Sequence, residues 1–149
     1  GNPEQLLRTG VAQNDIKLAL NSIAGKALFF IDSCHSGNAL GTAKTRGAVD
    51  VNAVVNELAS AENGVIVFAA STGRQFSREA PEWGNGAFTK AVVEGLTGKA
   101  DFRKTGVISH KALDFYVAER VKELTQGQQS PVSITPSGIS DFPIALVKR

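Results

Sequence analysis

The residues of this chain that could do chemistry meet in one short stretch. FFIDSCHSG, residues 29–37, holds the only cysteine, Cys34, with Asp32 two residues before it and His35 directly after it. A thiolate is a strong nucleophile, but a neighbouring carboxylate raises the pKa of the thiol and makes the thiolate scarcer. Asp32 therefore needs another role, such as pairing with a cationic group of a ligand. From spacing alone, a free buried cysteine beside a turn-capping aspartate is an equally good interpretation.

Two apolar runs predict the strands that position this stretch. ALFFID (27–32) and VIVFAA (65–70) are continuous apolar segments bounded by turn residues, which is typical of strands buried on both faces. A helical stripe between them, over residues 51–58, makes a strand–helix–strand unit with parallel strands. Cys34 then lies just past the carboxyl end of the first strand, where α/β sheets place their sites.

The rest of the chain predicts further helices and one more strand. A helix capped by Asn14 or Asp15 carries Ile16, Ala19, Leu20 and Ile23 on one face and ends at Gly25. Two more helices are predicted, one from about Ala87 to Leu96, before Gly98, and one that starts after Ser109 and runs towards Leu124. The apolar stripe of the second consists of Leu113, Val117, Val121 and Leu124. The tail DFPIALVK (141–148) predicts a last strand. The expected fold class is α/β.

Composition limits the classes of function. The 149 residues are enough for one domain, and a net charge of +2, with scattered Lys and Arg, argues against nucleic-acid and membrane-surface partners. The chain contains no spanning apolar run or signal-peptide pattern, so we expect a soluble protein, and its compartment, cytoplasmic or periplasmic, is unknown. A single cysteine excludes an internal disulfide and a cysteine-based zinc motif.

FFIDSCHSG resembles the catalytic-cysteine segment of the caspase and metacaspase superfamily. Its DSCHSG form is similar to that of metacaspases and bacterial caspase-like proteases. The blocks EWGNGAFTKAVVEGLTG (82–98), ALDFYVAERV (112–121) and QQSPV (128–132) fit the same pattern, so the resemblance extends from about Asn14 onwards. It implies a caspase-like fold, a mostly parallel sheet flanked by helices.

The resemblance also implies roles for matching residues. Cys34 would attack a peptide carbonyl and form an acyl-enzyme, and its backbone N–H would contribute to the oxyanion hole. Asp32 matches the acidic residue of the primary specificity pocket, which implies cleavage of protein or peptide substrates after Arg or Lys. Ser71, after the second strand, would be either a wall of that pocket or a simple turn residue.

The catalytic base expected from the family is missing from this chain. The family histidine lies roughly 50 residues upstream of the cysteine, and too few residues precede Cys34. On an extended segment His35 would point away from Cys34, and His110 is interpreted as a surface residue at a helix start. The chain starts GNPEQLL and has no methionine, so we interpret residues 1–149 as the C-terminal portion of one caspase-like domain, lacking its N-terminal strands. The upstream part would carry the histidine and cover the bare edge of the ALFFID strand.

Two alternatives and one cofactor expectation remain. A caspase-like module without activity, serving interaction or regulation, fits the same pattern, whereas a redox-sensing thiol is disfavoured by Asp32. Metacaspases often carry an acidic residue near a calcium site shortly after DSCHSG. Here the stretch reads NALG, ending at Gly41, so no cofactor and no calcium dependence are expected.

Overall fold

The computed structural model describes residues 11, 13–32, 64–70 and 86–147. In chain order the elements of these residues are α1 (Gln13–Asn21), β1 (Ala27–Ile31), β2 (Val65–Ala69), α2 (Ala87–Glu94), a π-helical turn (Gly95–Lys99), β3 (Val107–Ser109), α3 (His110–Leu124), β4 (Val132–Ile134) and β5 (Pro143–Leu146). The predicted helix over residues 51–58 lies outside the described residues.

A three-stranded sheet with the order β1-β2-β4 lies at the centre of the described structure. β1 and β2 run parallel, with Ile31 opposite Ala69, and the rings of Phe30 and Phe68 stack with centroids 5.0 Å apart. β4 pairs with the other edge of β2 in the antiparallel direction. The two apolar runs are therefore confirmed as neighbouring parallel strands. Among the described strands of this sheet, β1 is an edge strand.

Helices cover both faces of this sheet. Every residue of β2 is buried, as its uninterrupted apolar run predicts. Because side chains alternate along a strand, Ile66 and Phe68 pack on one face with α2 and α3, whereas Val65 and Val67 pack on the other with Leu20 of α1. Burying each of these large side chains stabilises the fold by about 1.5–3 kcal/mol. The predicted α/β fold class is confirmed.

α2 and α3 approach each other closely at Gly95. A Cβ atom there would lie 2.6 Å from Leu113 Cδ1 and 3.0 Å from Tyr116 Cδ1 of α3, so a side chain at this position would require these two side chains to move. The helix predicted over residues 87–96 is α-helical only to Glu94 and continues as the π-helical turn. Within that turn Gly98 has a φ of +130°, a conformation that residues with a side chain rarely adopt.

α3 begins where the sequence predicts. Ser109 is its N-cap, and the Ser109 hydroxyl oxygen accepts a hydrogen bond from the Ala112 N–H over 3.3 Å. Three residues of the predicted apolar stripe are fully buried: Leu113, Val117 and Val121. The predicted last strand is β5, which pairs with β3 in an antiparallel ribbon. These elements form the layer that covers one face of the central sheet.

Three local features differ from the sequence-based predictions. α1 begins at Gln13, so Asn14 and Asp15 lie inside the helix and neither is its cap. It ends at Asn21, which leaves Ile23 outside the helix and 44 % exposed. The strands β3 and β4 were not predicted, because three residues each are too few to show an alternating pattern.

The Glu94 carboxylate joins α2, the π-helical turn and α3. It accepts hydrogen bonds from Arg120 Nε over 2.8 Å and from the Tyr116 hydroxyl over 2.9 Å. The ammonium groups of Lys90 and Lys99 each lie 3.2 Å from it. The hydrogen bond from Arg120 is the main reason that the pKa of Glu94 falls from 4.5 to about 2, since desolvation acts in the opposite direction. The Glu94 side chain is only 15 % exposed, so solvent screens these interactions incompletely.

Replacing Glu94 with Gln is expected to lower the free energy of unfolding by about 1–2 kcal/mol near neutral pH. Because the folded-state pKa is below the unfolded value, the stabilisation is complete above pH 4.5 and is lost as the pH falls towards about 2. Urea unfolding at about pH 7 and about pH 3 measures the difference between the two proteins, which should shrink at the lower pH.

Glu119→Gln is the matched control for this prediction. Its carboxylate is 59 % exposed and pairs with Lys122 at the surface, so its loss should change stability by less than about 0.5 kcal/mol. An equal destabilisation of the Glu94 variant at both pH values would contradict the prediction.

Candidate active site

Asp32 is the described part of the predicted site. It directly follows β1, and its side chain is exposed. The Thr89 hydroxyl donates a hydrogen bond to Asp32 Oδ2 over 2.5 Å. Thr89 belongs to the first turn of α2, next to the buried Phe88. The Asp32 carboxylate therefore lies at the carboxyl end of β1, with one oxygen hydrogen-bonded to a side chain of α2.

The ends of β1 and β2 are joined beyond the last pair of strand residues. The Ala70 N–H donates to the Ile31 carbonyl over 2.9 Å, so the chain leaves both strands at the same edge of the sheet. Cys34 lies two residues beyond Asp32, and Ser71 follows Ala70. Cys34, Ser71 and His35 lie outside the described residues, so their predicted roles stay predictions.

Gln129 supports the end of β2 from the interior. Its side chain is fully buried, and Nε2 donates to the Ala70 carbonyl over 2.9 Å. Its backbone N–H donates to the Thr125 hydroxyl oxygen over 3.1 Å, and that hydroxyl donates to the Val121 carbonyl over 2.7 Å. A hydrogen-bonded path thus runs from the last turn of α3 to the strand end beside Ile31. Because buried polar groups are costly to leave unpaired, this path fixes the strand end in place.

The interpretation of His110 as a surface residue is wrong. Its side chain is 1 % exposed and stacks on the Phe142 ring with centroids 4.7 Å apart. His110 Nδ1 lies 3.0 Å from Asp141 Oδ1. The residues that cover it come from the segment just before β5, and a helix-start position in the sequence gives no sign of that contact.

His110 is a packing residue without a nitrogen open to a ligand. Burial lowers the pKa of His110, an effect that the Asp141 carboxylate opposes. Nδ1 is contacted by the Asp141 carboxylate at 3.0 Å and accepts a hydrogen bond from the Phe142 N–H over 3.4 Å, whereas the buried Nε2 has no hydrogen-bond partner among the described residues. The charged ring would carry a donor at this unpaired nitrogen, which disfavours it. The hydroxyl of Ser109 and the N–H of Lys111 also donate to Asp141, so the cluster ties the start of α3 to the chain before β5.

The described residues, 11, 13–32, 64–70 and 86–147, contain neither a cluster of metal ligands nor a membrane-spanning helix. Among them, no group of three or more His, Cys, Asp or Glu side chains could hold a metal ion. The NALG stretch, residues 38–41, lies outside these residues, so the expected independence from calcium stays a prediction. In the described part of the chain, no helix has both the length and the apolar character to cross a bilayer.

Sequence reasoning missed two residues that support the site, Thr89 and Gln129. Thr89 lies three residues before Val92, which is buried, so a position near the packed face of α2 could have been inferred for it. Gln129 belongs to the QQSPV stretch, which contributed to the family resemblance without a role for any of its residues. Its contact with Ala70 joins segments that are distant in the chain, and no local pattern reveals it.

Residues 6–140 match the family model of the caspase domain (Peptidase C14). The matched range includes Asp32, Cys34 and Ser71 and every described element except β5. It confirms the family resemblance of the DSCHSG stretch, and the mixed sheets with flanking helices fit the caspase-like fold that this resemblance implies. No curated protein and no solved structure gives a significant match to the chain.

Replacing Gln129 with Met is expected to lower the free energy of unfolding by about 1–3 kcal/mol, because the buried Ala70 carbonyl loses its side-chain donor while the volume is nearly kept. Urea unfolding of the variant and the wild type measures the loss. Gln128→Met, at the exposed neighbouring position, is the control and should change stability by less than about 0.5 kcal/mol. Unchanged stability of the Gln129 variant would show that this contact does not hold the end of β2.

Proposed function

Since this chain belongs to the caspase-domain family, we propose that it is a cysteine endopeptidase that cleaves peptide bonds after arginine or lysine. The observation that supports the specificity most directly is the exposed Asp32 carboxylate at the end of β1, two residues before Cys34. A carboxylate near a thiol disfavours the thiolate, so Asp32 is a poor activator of Cys34. It is well suited to bind a guanidinium or ammonium group of a substrate.

In the proposed reaction, Cys34 is the nucleophile. Its sulfur forms a bond with the carbonyl carbon of the scissile peptide, and the thiol proton passes through a histidine to the leaving amine. Water then hydrolyses the thioester and releases the thiol. The backbone N–H of Cys34 stabilises the oxyanion that forms at each step. This chemistry requires a thiol, an imidazole and water, and we propose no metal ion or cofactor.

Asp32 and Ser71 form the pocket for the side chain that precedes the cleaved bond. β1 and β2 end at the same end of the sheet, where the Ala70 N–H donates a hydrogen bond to the Ile31 carbonyl. This arrangement supports a pocket with Asp32 at one side and Ser71, which follows Ala70, as a wall. Within the family, we propose a place among the metacaspases and bacterial caspase-like enzymes, which the DSCHSG form resembles.

The catalytic histidine, in this proposal, lies on a segment that precedes Gly1. Of the histidines in the chain, His110 has its Nδ1 next to Asp141 and its Nε2 buried, which leaves it no nitrogen for a substrate. Among the described strands, β1 lies at an edge of its sheet, which supports a position beside it for the preceding segment, because an apolar edge strand is normally covered or paired. The other expected partners are protein or peptide substrates, and no role with nucleic acid or membrane is proposed.

Replacing Asp32 with Ala is expected to lower kcat/KM for cleavage after Arg or Lys by at least about a hundredfold, because the substrate cation loses its partner in the pocket. The full-length protein is assayed with fluorogenic peptides that differ only in the residue before the bond. Asp15→Ala removes an exposed carboxylate of α1 and should leave the rate unchanged. Alkylation of Cys34 by iodoacetamide should remain. If the Asp32 variant still preferred Arg over Leu, the pocket assignment would be wrong.

Residues 1–149 alone are expected to hydrolyse an arginyl peptide at least about a hundredfold more slowly than the same residues supplied with the preceding segment, because the general base is missing. The preceding segment is added as a separate polypeptide, and the release of the fluorophore is measured. The same mixture with Cys34→Ala is the control for contaminating proteases. Equal turnover with and without the added segment would mean that the base lies within residues 1–149.

A further inference from the structure

Thr89 connects α2 to the end of β1 through the side chain of Asp32. The Thr89 Oγ1 donates to Asp32 Oδ2 over 2.5 Å, a short hydrogen bond of the kind that a charged acceptor makes. The two residues are 57 positions apart in the chain, so the fold brings them together. Thr89 is half-buried, whereas Asp32 is exposed. The donating hydroxyl of Thr89 therefore belongs to the helix that packs on the sheet, whereas the accepting carboxylate of Asp32 is exposed to solvent at the end of β1.

α2 holds the Thr89 hydroxyl in a defined place. Ala87 and Phe88, which precede Thr89 in the first turn, are buried in the core. The Lys90 N–H donates to the Gly86 carbonyl over 3.0 Å and closes this turn. A threonine in a helix has few accessible χ1 rotamers, and its hydroxyl often bonds back to a carbonyl of its own helix. Here the hydroxyl bonds to Asp32, so the donor is presented outward with little freedom.

An exposed aspartate without such a donor would rotate between several orientations. A guanidinium binds a carboxylate best through two parallel hydrogen bonds, which require the carboxylate plane in one orientation. Fixing a mobile side chain during binding costs conformational entropy, and a side chain that is already fixed avoids this cost. An ammonium group is a compact charge with rotating donors and depends less on the orientation of its partner.

We infer that Thr89 is a positioning residue that orients the Asp32 carboxylate for the arginine side chain of a substrate. The inference rests on the proposed function, because it takes Asp32 as the carboxylate of the specificity pocket. Thr89 acts through Asp32, and its loss weakens the binding of arginine more than the binding of lysine.

The test uses Thr89→Val, which keeps the shape without the hydroxyl, and Thr89→Ser, which keeps the hydroxyl. In the full-length protein, alkylation of Cys34 by an arginyl and by a lysyl peptide chloromethyl ketone is followed by mass spectrometry, and each rate is divided by that for iodoacetamide. Thr89→Val should lower the arginyl ratio about fivefold and the lysyl ratio less, whereas Thr89→Ser should give both ratios of the wild type. In peptide hydrolysis, Thr89→Val should raise KM for arginyl substrates with little change in kcat.

Three further variants make the outcome decisive. Thr97→Val removes a hydroxyl that donates to the Val93 and Glu94 carbonyls in the same helical segment, and it should leave the ratios unchanged. Thr89→Ala tests the same loss if Thr89→Val fails to fold. Asp32→Ala is measured in parallel and should lower the arginyl ratio further than Thr89→Val does.

The results separate this inference from the proposed function. If Asp32→Ala lowers the arginyl ratio while Thr89→Val matches the wild type, the positioning role is overturned and the pocket assignment stands. If Asp32→Ala leaves the ratio unchanged, the pocket assignment itself is overturned. A Thr89→Val protein that melts at a lower temperature with unchanged ratios would mean that the contact is only structural. Failure of Thr89→Ser to restore the ratios would show that the hydroxyl is not the cause.

Discussion

Burial of β2 on both faces is the constraint on which the rest of the described structure depends. All five of its residues are buried, so its backbone polar groups can be satisfied only within the sheet, by β1 on one side and β4 on the other. The alternating side chains then require an apolar layer on each face, which α1 supplies on one and α2 with α3 on the other. Ala70, just past the strand, is still buried, and its N–H and carbonyl are bonded to Ile31 and Gln129.

The two carboxylates beside α2, those of Glu94 and Asp32, have different roles. Glu94, at the end of that helix, is surrounded by donors from Arg120 and Tyr116 and by the ammonium groups of two lysines, so its charge serves the packing of helices. Asp32 is exposed at the strand edge, and α2 contributes the Thr89 hydroxyl to it. A carboxylate that is oriented but still open to solvent is suited to bind a cation that arrives from outside. A carboxylate in the position of Glu94 is already fully engaged.

The sequence predicted those parts of the fold that long local patterns encode. The apolar runs of β1 and β2, the stripe of α3 and its start after Ser109 each involve neighbours in the chain, and each is found in the structure. β3 and β4 are too short for a pattern, and their pairing depends on distant partners. The burial of His110 and the contacts of Thr89 and Gln129 likewise depend on residues far away in the chain. Asp32 was found because its charge is unexpected next to a cysteine, whereas an uncharged hydroxyl or amide gives no such signal.

The close contact between Gly95 and α3 limits which segments of this chain could be exchanged with those of a relative. The missing side chain at Gly95 fits against Leu113 and Tyr116, and the neighbouring Glu94 is bonded to Arg120. A chimera that took α2 from one relative and α3 from another would combine surfaces shaped for different partners. The two helices and the turn between them, residues 87–124, therefore form one structural unit, and a recombination joint inside it would lower stability even where both parents fold well. Joints between Ala70 and Gly86, or in the connection after α3, would leave that unit whole.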